Sequence, residues 1–156
     1  MNLFKFNNFE VLLDYAHNVD GFLELEKYVA KTEATEKIGV LGVTGDRRDE
    51  DLMEIGRISG RMFDRIIFKH DRDLRGRTQS EMEELFMKGL REVNADMIVE
   101  MIAVEEKAIS KALSGVQKNS FVVICADDIS ACIAQLRHAQ KKENQADEQS
   151  PHVGKK

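Results

Sequence analysis

Val11-Leu12-Leu13-Asp14-Tyr15-Ala16-His17-Asn18 is the stretch that decides what kind of fold this chain adopts. Three apolar residues run into an acid, an aromatic, a small residue, a histidine and an amide. The apolar part has the character of a short buried strand. The polar part falls where that strand stops and a helix begins. In an open α/β sheet, ligands bind outside the carboxyl ends of the strands. One short stretch therefore offers a strand, a helix start and four side chains suited to a ligand: Asp14, Tyr15, His17 and Asn18. The same residues also fit a structural role, with Asp14 capping the next helix, Tyr15 packing locally and His17 at the surface.

Outward from this stretch the chain alternates. Met1 to Phe9, with three phenylalanines and three asparagines, reads as an edge strand or a lead-in packed on the sheet. Asn18 or Asp20 caps a helix running to about Lys31, with Phe22, Leu25, Tyr28 and Val29 on one face. Ile38–Val43 is a second buried strand, whose glycines indicate close backbone approach. Leu52, Ile55, Ser59, Met62 and Phe63 mark the next helix. Arg65–Lys69 is a third strand. Thr78-Gln79-Ser80-Glu81 is a capping box opening a helix with Met82, Leu85, Phe86 and Leu90 inward. Met97–Ala103 is a fourth strand, followed by a helix from about Val104 to Leu113, with Val104, Ala108 and Ala112 inward. Phe121–Cys125 is a fifth strand, and Ile129 to about Lys141 a last helix. Strands alternating with helices predict a three-layer, Rossmann-like α/β fold. Its mostly parallel sheet has about five or six strands, with helices on both faces. The predicted domain covers residues 1–140, and 141–156 is expected to be a mobile polar tail.

The composition narrows the function. The chain has 156 residues, suited to one domain, and 42% are hydrophobic. Net charge is −5 with no basic block, which argues against nucleic acid as the partner. No apolar run reaches the length of a membrane span, and the start is too polar for a secretory signal. Cys125 and Cys132 lack the C-x-x-C spacing of zinc sites and read as reduced core thiols, consistent with a cytoplasmic protein.

Three charged stretches each follow a strand: Asp14–Asn18, Asp46–Asp51 and Asp71–Arg77. Parallel topology brings such loops to one edge of the sheet, so one polar surface made by three loops is predicted. Arg47 and Arg48 sit among acids. They fit either a solvated ion-pair loop or a contact with phosphate or carboxylate, both of which suit arginine's planar fork. Neither a P-loop nor a G-x-G-x-x-G pattern after the first strand is present, which argues against a Walker-type ATPase and a dinucleotide-binding enzyme.

These stretches carry a resemblance. Asp14-Tyr15-Ala16-His17-Asn18 is similar to the motif that opens the C-terminal domain of Mur ligases. Gly45-Asp46-Arg47-Arg48-Asp49-Glu50-Asp51 and Asp71-Arg72-Asp73-Leu74-Arg75-Gly76-Arg77 are similar to two later signatures of that domain as found in cyanophycin synthetases. The likeness spans roughly Met1 to Gln140. It implies that Asp14 meets the ribose of ATP and that His17 lies near the base or first phosphates, with Tyr15 and Asn18 beside them. It implies substrate contacts for Asp46, Arg47, Arg48, Asp73, Arg75 and Arg77. Arg75 is expected to hold a carboxylate and Asp73 to pair with a cationic group. Arg77 is expected either to support the loop or to contact the polymer.

Peptidoglycan-type relatives carry Asp-Asn-Pro-Arg where this chain has Asp73-Leu74-Arg75-Gly76-Arg77, which departs from a cell-wall substrate. The cyanophycin type adds arginine to poly-aspartate side chains. In the family, the P-loop, the Mg2+ ligands and a carbamylated lysine belong to a preceding central domain. The chain is therefore expected to need that ATP-binding domain as a partner, to contribute no catalytic or metal-ligating residue of its own, and to be inactive alone. The alternative is a stand-alone α/β ligand-binding or regulatory module without catalysis.

Overall fold

The computed structural model describes residues 1–72 and 74–149. Its elements run β1 (Asn2–Lys5), β2 (Phe9–Asp14), α1 (Val19–Ala30), β3 (Glu36–Leu41), α2 (Asp49–Met62), β4 (Arg65–Phe68), α3 (Gln79–Val93), β5 (Ile98–Met101), α4 (Glu105–Leu113), β6 (Ser120–Cys125) and α5 (Ile129–Gln149). The strands form one six-stranded sheet in the order β1-β2-β6-β3-β4-β5. Only β1 is antiparallel, paired with β2 as an edge hairpin; the remaining pairs are parallel. The predicted three-layer class is the one observed.

Alternation along β2 shows how the layers are built. Leu12 faces the core that α1, α2 and α3 cover, with Phe22, Ile55 and Phe86. Val11 and Leu13 face the opposite core, with Ala108 and Ile109 of α4 and Leu136 of α5. A strand buried on both faces reads as a continuous apolar run, which is why Val11-Leu12-Leu13 has no polar partner residue.

Asn18 rather than Asp20 caps α1: its side chain accepts a hydrogen bond from the Gly21 amide at 2.8 Å. Asn18→Ala is expected to lower stability by about 1 kcal/mol, and Asn18→Ser to retain most of it, by urea unfolding. The predicted capping box also forms, with Thr78 Oγ1 accepting from the Glu81 amide. Val104, expected to point inward, is instead the N-cap of α4 and is exposed.

The last helix is longer than expected. α5 continues to Gln149 through residues assigned to a tail. The run is rich in Lys, Glu, Gln and Ala, which favour helix. The β1–β2 turn also holds it: the Asn7 amide donates to Glu143 Oε2 at 3.0 Å, Asn7 Nδ2 bonds Asp147, and Gln140 Nε2 donates to the Lys5 carbonyl. Residues 150–156 of the expected tail lie outside the described residues. Among the described residues no helix is long and apolar enough to cross a membrane.

Candidate functional site

The carboxyl ends of β2, β3, β4 and β6 lie on one edge because these strands are parallel. Beyond them is a cleft of about 310 Å³. Tyr15 and His17 come from the end of β2, Asp46 and Arg47 from the β3–α2 loop, and Arg75 from the β4–α3 loop. Asp127, after β6, closes it. The three charged loops therefore converge as expected.

The loops are fastened to one another. A Cβ on Gly45 would lie 1.9 Å from the Leu74 carbonyl oxygen, so the β3–α2 and β4–α3 loops touch through their backbones. Arg77 spans the same gap. Its guanidinium pairs with Asp49 at 2.7 Å and Glu81 at 2.6 Å, and Nη2 donates to the Arg47 carbonyl at 2.7 Å. These contacts tie the β3–α2 loop to the start of α3. The Arg77 amide donates to the Leu74 carbonyl, closing a turn in which Arg75 (φ 48°) and Gly76 (φ 82°) both have positive φ. Glycine tolerates that region; arginine adopts it at a cost of roughly 1–2 kcal/mol. Non-glycine residues held in this way gather at functional sites. This turn presents Arg75 to the cleft.

Other expected residues are engaged locally. Asp14 Oδ1 accepts the Ala16 amide at 2.7 Å, shaping the exit from β2. His17 Nδ1 meets the Tyr15 carbonyl at 3.0 Å, and the two rings lie 5.2 Å apart. Tyr15 is 59% exposed, with its ring tilted against that of His17. Arg47 Nε reaches the His17 carbonyl at 3.4 Å and Asp46 at 3.6 Å, linking the first two loops. Thr44 donates a hydrogen bond to Asp46, which with Arg47 and Arg75 holds that carboxyl below its ordinary range. Arg48 turns away: it is 83% exposed and forms a bidentate pair with Asp51 in the first turn of α2. Asp14, Asn18, Arg48 and Arg77 do not line the cleft. Asp73 lies outside the described residues.

Lys69 on the floor of the cleft, and Glu105 behind it, are residues that the sequence did not mark. Lys69, at the end of β4, is 1% exposed. Its ammonium pairs with Glu105 at 3.0 Å and Asp127 at 3.2 Å. Glu105 Oε2 also accepts the Asp127 amide at 2.8 Å, and Oε1 the Asp128 amide at 3.3 Å. Burial disfavours the charged form of Lys69, yet the two carboxylates outweigh it and its pKa is raised. Asp127 is also raised: burial is the main cause, and Asp71 and Glu105 reinforce it against the single ammonium. Burial likewise pushes the Cys125 thiol, on the same floor, up to about 12, so it is neutral and no nucleophile. A lone lysine closing the apolar run Ile66-Ile67-Phe68 is a legible oddity. Glu105 carries no comparable signal, because its role depends on α4 and α5 starting side by side. Among the described residues, no three His, Cys, Asp or Glu side chains are grouped to hold a metal ion.

The family profile described as Mur ligase, glutamate ligase domain, matches residues 1–128. The chain belongs to this family. It is 39% identical over 155 residues to a cyanophycin synthetase of Nostoc sp., covering 98% of this chain and 17% of that protein. It is 30% identical over 117 residues to a UDP-N-acetylmuramoyl-L-alanyl-D-glutamate–2,6-diaminopimelate ligase of Caldanaerobacter subterraneus, covering 75% of this chain and 24% of that protein. A solved structure of a ligase of the latter name superposes with a TM-score of 0.70 at 16% identity, over 92% of this chain and 31% of that one. E. coli FolC in complex with ADP superposes with a TM-score of 0.58 at 16% identity, over 89% of this chain and 30% of that one. These two likenesses establish the fold. In this Mur ligase domain, then, the cleft and the charged signatures fall on the same edge of the sheet.

Proposed function

We propose that this chain is the nucleotide- and substrate-closing domain of an ATP-dependent amide ligase of the cyanophycin synthetase type. The observation that carries the reading is the convergence of all three charged signatures on one cleft, in a chain 39% identical over 155 residues to a cyanophycin synthetase. In such a ligase ATP activates a carboxylate as an acyl phosphate, and an incoming amine attacks the carbonyl carbon as phosphate leaves. This domain's share is positioning and charge complementarity. Asp14, with several lone-pair sites, suits the ribose hydroxyls. Tyr15, His17 and Asn18 border the nucleotide. Arg47 and Arg75 suit phosphate or carboxylate oxygens. Asp46 flanks them, Arg48 pairs with Asp51 at the start of α2, Arg77 holds the loops together, and Asp73 meets a cation of the substrate. A central ATP-binding domain supplies the phosphate cradle and Mg2+. Closure of the two domains excludes water and completes both sites. The added amino acid is arginine and its acceptor a poly-aspartate side chain.

The test is an amide NMR titration of the isotope-labelled chain with ADP, then with L-arginine and a β-linked aspartyl-arginine peptide. A half-site is expected to bind in the millimolar range, about −4 kcal/mol. ADP is expected to shift Asp14–Asn18, and the arginine ligands to shift Asp71–Arg77. If ADP moves nothing, even with the central domain of a matching ligase added, the reading fails and the stand-alone module replaces it.

A further inference from the structure

The charge balance of the cleft floor is uneven. Lys69 brings one ammonium against the two carboxylates of Glu105 and Asp127. Glu105 is fully engaged, since both its oxygens accept backbone amides at the start of α5 and one also meets Lys69. Asp127 meets Lys69 through Oδ1 and is the more exposed of the two, at 25% against 16%. Of the two carboxylates that share the single ammonium, Asp127 is the one that lines the cleft, together with Arg47 and Arg75 and the carboxylates of Asp46 and Asp71. A cleft with guanidinium groups on its rim and a carboxylate on its floor matches a zwitterion.

We propose that Asp127 receives the α-ammonium group of the incoming amino acid, with Lys69 and Glu105 as positioning residues that hold it. The proposal rests on the ligase reading and adds to it the group that recognises the nucleophile's end of the substrate. The α-carboxylate and α-ammonium of an amino acid are attached to one shared carbon. One small cleft can thus engage both, the carboxylate at Arg75 and the ammonium at Asp127. Burial, Asp71 and Glu105 resist the ionisation of Asp127 and Lys69 only partly offsets them. A second ammonium beside the carboxylate adds to the share of Lys69 against Asp71 and Glu105.

The test compares L-arginine with N-acetyl-L-arginine, which lacks the ammonium, and agmatine, which lacks the carboxylate, by amide NMR on the full chain. The unaltered chain is expected to prefer L-arginine over N-acetyl-L-arginine by about tenfold or more, the worth of one charge-assisted hydrogen bond. Asp127→Asn leaves Lys69 and Glu105 as a balanced pair. It is expected to abolish that preference while leaving N-acetyl-L-arginine binding unchanged. Asp127→Ser, which has no amide to engage Lys69, is the second variant and is expected to give the same loss. Agmatine, with no α-carboxylate for Arg75, is expected to bind less well than L-arginine. A merely structural role for Asp127 would weaken both arginine ligands alike, and that outcome overturns the proposal. So does an unaltered chain with no preference or no response to L-arginine. ADP shifts at Asp14–Asn18 in the variants serve as the control: their presence keeps the ligase reading intact when the proposal fails, and their absence in the unaltered chain as well removes the reading itself.

Discussion

Replacing Lys69 by methionine is expected to destabilise the fold by about 3–5 kcal/mol, the cost of leaving a buried charge without its partner. The substitution keeps the volume of the side chain and removes only its ammonium, so cavity formation contributes little. Glu105 and Asp127 are left facing one another with no cation between them. In urea this corresponds to a fall of roughly 2 M in the unfolding midpoint for a chain of this size. The cause is separable by a second experiment. Adding Glu105→Gln and Asp127→Asn to the methionine variant removes the stranded charges, and most of the lost stability is expected to return. If it does not, the loss comes from packing and the electrostatic account is wrong.

The pH dependence arises from the same three groups. The Lys69 pKa is raised in the folded chain above its ordinary 10.5. Its stabilisation is therefore complete at neutral pH and is lost only as the pH rises through the folded value. The unaltered chain is expected to show that alkaline loss, and the methionine variant not. Asp127, whose carboxyl burial already holds above its ordinary range, loses its cation in the variant and takes up a proton as the pH falls, so the deficit is expected to shrink on acidification. Urea unfolding at acid, neutral and alkaline pH measures both effects.

The elements and their layers were legible because strands buried on both faces, such as Val11-Leu12-Leu13, are short apolar runs, while each covering helix repeats its apolar residues every three or four positions. The meeting of three loops was legible too, since the loops after parallel strands all emerge at the same edge of the sheet. Features that depend on contacts distant in the chain were not legible. The position of β6 between β2 and β3 comes from pairings such as Val11 with Val122 and Ile38 with Val122. Glu105 comes to hold Lys69 only because α4 and α5 begin beside the end of β4. For Arg77 the sequence left loop support and polymer contact open, and the partners that tie it between the loops, Asp49 and the Arg47 carbonyl, lie far from it in the chain. The extension of α5 was misjudged for a different reason. A polar run of good helix formers has no apolar stripe to reveal it, and its anchor, Asn7, lies at the other end of the chain.

Gly89→Ala is expected to destabilise the chain by about 2 kcal/mol or more, although helix propensity alone predicts a gain of about 1 kcal/mol. The sign is decided by what the added methyl meets. A Cβ at Gly89 would lie 1.8 Å from the Met53 carbonyl oxygen, and one at Gly56 would lie 2.1 Å from the Phe86 carbonyl oxygen. Helices α2 and α3 thus pack backbone to backbone at two reciprocal glycines. No rotamer change can make room for the methyl, because the obstruction is main chain on both sides; the helices must part. Gly60 supplies the internal contrast. Its Cβ would sit 3.2 Å from the Leu90 carbonyl oxygen, a gap that a few tenths of an ångström relieves. Gly60→Ala is therefore expected to cost much less, with the propensity gain offsetting most of the crowding. The consequence also reaches the cleft. The β3–α2 and β4–α3 loops lead directly into these helices and touch where Gly45 meets Leu74. Parting the helices pulls Arg47 away from Arg75. In Gly89→Ala, L-arginine is expected to bind more weakly, while ADP still shifts Asp14–Asn18, because that stretch belongs to β2 and α1. Equal stability of the Gly89 and Gly60 variants in urea would show that α2 and α3 do not approach this closely.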